Sequence, residues 1–130
     1  MLGIVQDDRP SGHFERRLRC RTVRDSAAAI VLDAVGAACG VTRAELLSGR
    51  RCSQEVAASR QLAMYLVHVL LGRTYEQVGG IFGRDRTTVS YACARIEDRR
   101  DDHSPFEQQV ARLEDMLKAR LAGEASRVAS

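Results

Sequence analysis

The chain has 130 residues, of which 45% are hydrophobic and only 5% aromatic. This length fits one domain with tails, and a core poor in aromatic residues is built from Ala, Val, Leu, Ile and Met, which favours helices over sheets. The net charge of +3 comes almost entirely from arginine, a pattern compatible with nucleic-acid binding but also with a genome that favours arginine codons. No segment approaches the roughly 20 apolar residues of a membrane span, and the amino terminus lacks a signal peptide's apolar run.

The cysteines and histidines show no pattern of a metal or catalytic site. Cys20, Cys39, Cys52 and Cys93 form no C-x-x-C pair and have no paired histidine nearby, so we expect no metal ligand. We expect Cys93 to be buried and Cys20 and Cys52 to be free thiols, which favours a reducing, cytoplasmic compartment. No Ser or Cys has a general base at recognisable spacing, so we expect no catalytic residue, no enzyme activity and no cofactor.

Three regions are expected: a flexible basic arm over residues 1–23, a folded domain over residues 24–121 and a flexible tail over residues 122–130. The arm shows no hydrophobic periodicity, and its basic cluster consists of Arg16, Arg17, Arg19 and Arg21. It is either a solvated tail or an arm that touches phosphates and adds salt-dependent affinity to nucleic-acid binding.

The domain opens with an Ala-rich apolar helix from Ser26 to about Cys39. Asp25 or Ser26 can cap it, and Gly40 stops it. Next, Thr42 and Glu45 have the spacing of a capping box and begin a short helix to Leu47.

A loop containing Arg50 and Arg51 leads to a long helix from about Gln54 to Leu71. Apolar residues recur along it at helical spacing: Ala63, Leu66, Val67 and Leu70, with Ala57 and Met64 beside them. Its second half is apolar on nearly all sides, which predicts a buried central helix ended by Gly72.

Residues 74–99 have the layout of a helix-turn-helix. Thr74 and Gln77 form a second capping-box pattern, and the short helix that they open reaches about Ile81 or Phe82. Gly83 turns the chain, and a second helix runs over about residues 85–99. Its apolar side consists of Val89, Ala92, Cys93 and Ile96, and its outer side carries Arg86, Thr87, Ser90, Tyr91 and Arg95.

The charged stretch over residues 97–102 is expected to fray. Ser104, Pro105 and Glu107 then mark a strong helix start, and the last helix reaches about Leu121. Its apolar stripe consists of Phe106, Val110, Leu113, Leu117 and Leu121. The stripe either packs onto its own domain or forms the seam of a homodimer. The predicted fold is all-α, a small bundle of about six helices.

The opening of the second helix of the helix-turn-helix carries more hydrogen-bonding side chains than a structural helix needs. These are Arg84, Asp85, Arg86, Thr87 and Thr88, whereas one capping residue would suffice. Arg bonds guanine in a bidentate fork, Asp accepts from cytosine N4, and the Thr methyl meets the thymine methyl. The first turn of a helix in the major groove is where such contacts are made.

The chain resembles the C-terminal duplex-DNA-binding domain of the bacterial replication initiator DnaA family. The resemblance covers roughly residues 26–121. The matching segments are A-E-L-L-S at 44–48, R-R at 50–51, S-R-Q-L-A-M-Y-L at 59–66 and F-G-R-D-R-T-T-V at 82–89. The last of these matches continues along the helix to Ala92, Cys93, Ile96 and Glu97. The R-D-x-T-T-V core combined with R-Q-x-A-M-x-L is the most specific part.

The resemblance implies roles for individual residues. Arg51 would enter the minor groove, Arg60 and Gln61 would contact phosphate, and residues 85–88, flanked by Arg84, would read bases. The candidate DNA-binding residues are therefore Arg50, Arg51, Arg60, Gln61, Arg84, Asp85, Arg86, Thr87, Thr88 and Tyr91. The alternative for Arg51 is an exposed loop charge, and for Arg60 a surface ion pair with Glu55 or Glu76.

The chain departs from the family in three respects. One glycine, Gly83, precedes Arg-Asp where the family usually has two, so we expect a rotated or tightened entry to the second helix. Arg86 stands where the family usually has histidine, so we expect an altered binding site, since Arg prefers guanine. There is no G-x-x-x-x-G-K-[ST] phosphate loop, so we expect neither ATP hydrolysis nor origin opening in that family's manner.

The leading hypothesis is a sequence-specific binder of double-stranded DNA, acting on transcription or replication in the cytoplasm at the nucleoid, without membrane contact. The alternative is a protein-interaction module that kept the fold and lost DNA binding. The acidic residues Asp98, Asp101 and Asp102 allow the alternative, and the arginines with Thr87 and Thr88 count against it.

Overall fold

The computed structural model describes residues 25–49, 53–100 and 104–129, with side chains up to Glu124. These residues form six helices and no strand: α1 Ser26–Cys39, α2 Arg43–Leu47, α3 Gln54–Leu71, α4 Tyr75–Phe82, α5 Arg86–Arg99 and α6 Pro105–Ala129. The predicted all-α bundle is confirmed. The basic arm, Arg50, Arg51 and the pair Asp101–Asp102 lie outside the described residues. No described helix combines the length and apolarity needed to cross a membrane.

The helix starts follow the capping residues in the sequence. Asp25 caps α1 by accepting from the Ala28 amide at 3.2 Å. Both predicted capping boxes form: Thr42 opens α2 and Thr74 opens α4. The Glu107 amide donates to Ser104 Oγ at 3.2 Å at the start of α6. Each of these bonds satisfies an amide that the first helical turn leaves without a partner.

Glycines in the left-handed region end three helices. Gly40, Gly72 and Gly83 follow α1, α3 and α4 with φ of 73°, 68° and 67°. A residue with a Cβ is strained in this region, so glycine ends a helix here at little cost.

The helix α3 lies at the centre of the bundle and contacts the other five helices. Leu62 to Val67 is buried without interruption, which explains why this segment is apolar on nearly all sides. The prediction of a central buried helix is confirmed. Burial of a Leu or Val side chain stabilises the fold by about 1.5–3 kcal/mol.

The apolar stripe of α6 packs on the rest of the domain. Val110, Leu113 and Leu117 are buried, and Phe106 and Leu121 are partly buried against the same core. The stripe is thus used inside the fold. The predicted helix end near Leu121 is wrong, because α6 continues to Ala129. An isolated glycine such as Gly123 costs a helix only about 1 kcal/mol and does not end it without a proline or a cap.

The charged stretch at the end of α5 is also more ordered than predicted. The prediction of fraying is wrong for residues 97–100, since α5 is helical to Arg99 and its C-cap Arg100 is fixed by side-chain bonds. The Arg100 guanidinium donates to both oxygens of Glu107 at 2.6 and 3.1 Å, to both oxygens of Glu114 at 2.9 and 3.2 Å, and to Tyr65 Oη at 3.0 Å. These bonds, led by those to Glu107, raise the pKa of Arg100. Arg100 thereby joins α3, α5 and α6.

Candidate nucleic-acid interface

The turn between α4 and α5 is held by close backbone packing. The Gly79 carbonyl accepts from the amide of Gly83 and from that of Arg84, the latter at 2.9 Å. A Cβ at Gly79 would lie under 3.0 Å from the Arg84 carbonyl oxygen, a separation that real Cβ atoms essentially never show. Glycine at position 79 therefore lets the start of α5 fold back onto α4.

One side of α5 anchors the helix in the core. Val89, Ala92, Cys93 and Ile96 are buried at the i, i+3, i+4 and i+7 spacing predicted from the sequence. Burial, followed by the nearby charge of Glu97, raises the pKa of the Cys93 thiol to about 11. The thiol is therefore protonated near neutral pH and serves as a small apolar side chain.

The opposite side of α5 is exposed at the end nearest the turn. Arg86, Thr87 and Thr88 are all exposed in the first helical turn. Tyr91, one turn after Thr87, has 60% of its surface exposed, the largest fraction among the exposed large hydrophobic side chains of the described residues. This surface presents a guanidinium, two hydroxyls with their methyl groups, and a phenol.

Asp85 occupies the N-cap position of α5, but its carboxylate does not cap the helix. Its backbone carbonyl accepts from the amides of Thr88 and Val89 at 3.0 and 3.2 Å, and its side chain makes no capping bond. The residue is exposed. The carboxylate is therefore placed at the helix entry as an acceptor that caps no amide among the described residues.

Arg84 faces the protein. Its half-buried guanidinium donates from Nη1 to the Phe82 carbonyl at 3.0 Å and from Nη2 to the Ser48 carbonyl at 2.9 Å. Phe82 is the last residue of α4, and Ser48 is the C-cap of α2. Arg84 thus connects the turn of the helix-turn-helix with the chain that leaves α2.

Arg60 is buried, with 8% of its surface exposed. Its Nε donates to the Leu46 carbonyl at 2.8 Å, and its Nη2 donates to the carbonyls of Glu45 and Ser48 at 3.2 and 3.4 Å. These carbonyls lie at the C-terminal end of α2, where a helix leaves its acceptors without intrahelical partners. Among the described residues Arg60 forms no ion pair, so the predicted alternative with Glu55 or Glu76 is wrong.

Of the remaining candidates, Gln61 is described by the structure, whereas Arg50 and Arg51 lie outside the described residues. Gln61 follows Arg60 on α3 and is half-buried. Ser48 was not predicted as a site residue, although its carbonyl accepts from both Arg60 and Arg84. A backbone acceptor leaves no signature in a sequence, because every residue has one.

Charge along α5 is uneven. The first turn has the exposed Arg86 and is preceded by the N-cap Asp85, whereas Glu97 and Asp98 lie at the far end of the helix. Arg99 lies 3.7 Å from the centre of the Phe106 ring, a cation–π contact that directs it toward α6. Within the described ranges no group of His, Cys, Asp and Glu is arranged to hold a metal ion.

Two comparisons with known proteins cover this region. Residues 28–96 match the family model described as "Bacterial dnaA protein helix-turn-helix". The chain is also 36% identical over 124 residues to the chromosomal replication initiator protein DnaA of Bartonella quintana (strain Toulouse), a match that covers 95% of the chain but only 23% of that relative. The chain therefore belongs to the bacterial DnaA helix-turn-helix family.

Proposed function

We propose that this protein binds double-stranded DNA sequence-specifically by placing the N-terminal turns of α5 in the major groove. The observation that carries the proposal is the exposed surface formed by Asp85, Arg86, Thr87 and Thr88, none of whose side chains the fold uses for capping. A purely structural helix has no need of this composition, since adjacent β-branched threonines slightly disfavour helix.

Each side chain of this surface fits a particular base edge. Arg86 suits the O6 and N7 acceptors of guanine, and Asp85 suits the N4 amino group of cytosine. The methyl groups of Thr87 and Thr88 can contact the thymine methyl, and their hydroxyls can hydrogen-bond to a base edge or to a phosphate oxygen. Tyr91 lies one turn further along and adds an apolar ring with a polar tip.

The contacts outside α5 come from family resemblance. Arg51 is proposed to enter the minor groove, with Arg50 beside it, and Gln61 to contact phosphate. Arg60 is proposed to act at the same phosphate by holding the end of α2, because three carbonyls already accept from its Nε and Nη2.

The binding site is proposed to differ from the DnaA box at the position that Arg86 reads. Arginine is longer than the family's usual histidine and always charged, so it favours guanine. Replacing Arg86 by histidine should return the preference toward the DnaA box. Selection of binding sites from a random duplex library would show this, and an unchanged preference would contradict it.

The biological role that we propose is regulation, either by repressing transcription or by competing with an initiator for origin sites. The chain spans 23% of the length of the relative named as an initiator, so the activity of that whole protein is not transferred. A homodimer through the α6 stripe has little support, because that stripe is buried in its own domain.

The test is a binding measurement by fluorescence anisotropy on a DnaA-box duplex and a scrambled duplex across a salt series. We expect tighter binding to the box, weakened by Thr87→Ala by about 1–3 kcal/mol, and no change for Gln108→Ala on the exposed side of α6. Equal, salt-sensitive binding to both duplexes would indicate either a binding site that differs from the DnaA box at more than the position that Arg86 reads, or a non-specific binder. Absence of binding to either would favour the protein-interaction module.

A further inference from the structure

The arginines near the C-terminal end of α5 are used in different ways by the fold. Arg99 lies 3.7 Å from the centre of the Phe106 ring, and Arg100 donates to two carboxylates of α6. Arg95, one turn before Arg99, is exposed, and its guanidinium forms no ion pair or ring contact with any described residue. The fold thus directs two of these cations inward and leaves the charge of Arg95 on the surface.

Arg95 lies on the exposed face of α5 that begins with Thr87. Thr87, Tyr91 and Arg95 follow one another at a spacing of four residues, and all three are exposed. At about 100° per residue, Thr87 lies nearly opposite the buried side of the helix, and Arg95 lies about 80° around the helix from Thr87. Arg95 is therefore on one flank of the exposed face, between its middle and the core.

Arg95 also lies well behind the first turn of α5. It follows Thr87 by eight residues, which at about 1.5 Å per residue is about 12 Å along the helix axis. The major groove is about 8.5 Å deep, so a helix that enters with its first turn against the base edges brings Arg95 to the level of the groove rim. A helix about 10–12 Å wide fills a groove about 12 Å wide, so a flanking side chain at this level faces a phosphate strand.

The residue before Arg95 leaves the approach to DNA open. Ala94 is exposed and follows Thr87 by about two turns, so it lies near the middle of the same face. Its methyl group is too small to hold the helix away from the duplex. The long side chain at this level is therefore on the flank, where a phosphate can meet it.

We propose that Arg95 contacts a phosphate at the rim of the major groove and adds sequence-independent affinity to the base reading by the first turn of α5. The proposal rests on the proposed function, since it requires that this turn lie in the groove. A guanidinium presents a fork of N–H donors that matches two phosphate oxygens. The exposed acids Glu97 and Asp98 lie beyond Arg95, and their repulsion from phosphates favours a tilt that moves the far end of α5 away from the duplex.

The experiment compares Arg95→Gln with the wild type by fluorescence anisotropy on the DnaA-box duplex and the scrambled duplex, between about 50 and 200 mM salt. We expect Arg95→Gln to weaken binding to both duplexes by a similar factor and to lower the slope of log affinity against log salt by about 1. Over this rise in salt, the difference in affinity between wild type and variant should narrow by about threefold. Arg95→Lys keeps the charge and should keep the slope.

A matched control removes the same charge from another helix. Arg112 is exposed on α6, so Arg112→Gln should keep the wild-type affinity and salt slope. An equal loss of slope in Arg112→Gln and Arg95→Gln would indicate a general effect of net charge and would overturn the proposal. Circular dichroism of each variant would verify that the helices are intact.

The other outcomes also decide the question. Wild-type affinity and slope for Arg95→Gln would overturn the proposal, and a changed base preference of this variant in site selection would assign Arg95 to a base edge and refute the phosphate contact. Absence of wild-type binding to either duplex would overturn the proposed function together with this proposal. Equal wild-type binding to both duplexes would count only against recognition of the box, because the salt slopes would still report the phosphate contact.

Discussion

The two adjacent glycines of α4 should respond oppositely to the same substitution. At Gly79 an added Cβ would collide with the Arg84 carbonyl oxygen, and it would also lie 3.5 Å from the carbonyl carbon of Arg84. The clashing atom belongs to the backbone, so no rotamer change relieves it and the whole turn must shift. At Gly80, which is exposed, a Cβ would meet nothing within 4 Å.

The magnitudes follow from two opposing effects. Replacing an interior helical glycine by alanine favours helix by about 1 kcal/mol, and this gain applies at both positions. At Gly79 it is outweighed by overpacking, which costs about 1–3 kcal/mol and falls at the upper end here because backbone must move. We therefore expect Gly79→Ala to lose about 2 kcal/mol and Gly80→Ala to gain up to about 1 kcal/mol.

Urea and thermal unfolding followed by helical circular dichroism would measure both variants. For a domain of this size each kcal/mol of stability corresponds to about 4–8 °C in Tm, so the Tm values of the two variants should differ by at least about 10 °C. If Gly79→Ala were as stable as Gly80→Ala, the close approach of α4 to the start of α5 would be refuted. A stable Gly79→Ala variant with full DNA affinity would contradict the inference that the packing of this turn sets the position of α5.

Three further predictions concern buried or paired charges. Asp25→Asn keeps an acceptor for the α1 cap but loses the pair with Arg73, whose hydrogen bond lowers the pKa of Asp25 from its ordinary value of 3.8. The stability from this pair is full above the unfolded-state pKa and is lost as the pH falls through the lowered folded-state pKa, so the variant should be about 0.5–1 kcal/mol less stable at pH 7, and this difference should shrink when urea titrations are taken to acid pH. Arg60→Met should cost about 2–3 kcal/mol, with α2 amides exchanging first in hydrogen-exchange measurements; wild-type protection of α2 would argue against the carbonyl-holding role. Arg100→Lys should lower the free energy of unfolding by about 1–3 kcal/mol, because an ammonium has three donors and cannot replace the five hydrogen bonds that the guanidinium makes to Glu107, Glu114 and Tyr65. An unchanged urea midpoint would be inconsistent with that network.

Local rules were sufficient to predict most of the helix boundaries. The capping boxes at Thr42 and Thr74 and the stops at Gly72 and Gly83 depend on neighbours within a few residues, so they are visible in sequence. The buried side of α5 was likewise visible as apolar residues at helical spacing.

Long-range polar partners were not predictable in the same way. Arg60 and Arg84 were assigned outward roles by resemblance, whereas the fold directs their donors to carbonyls, which no side-chain pattern marks. The sequence predicts fraying around Arg100 because a dense run of charged residues usually indicates a solvent-exposed segment. Its partners Glu107 and Glu114 lie on the next helix, and only the tertiary packing brings them within reach.

The measurement that tests the central claim most directly is selection of binding sites from a random duplex library with the wild-type chain, in parallel with Thr87→Ala and Gln108→Ala. Base reading by the first turn of α5 predicts one enriched sequence for the wild type and for Gln108→Ala, and loss of preference at one position of that sequence for Thr87→Ala. No enriched sequence with the wild type, or the same enrichment with Thr87→Ala, would contradict the account.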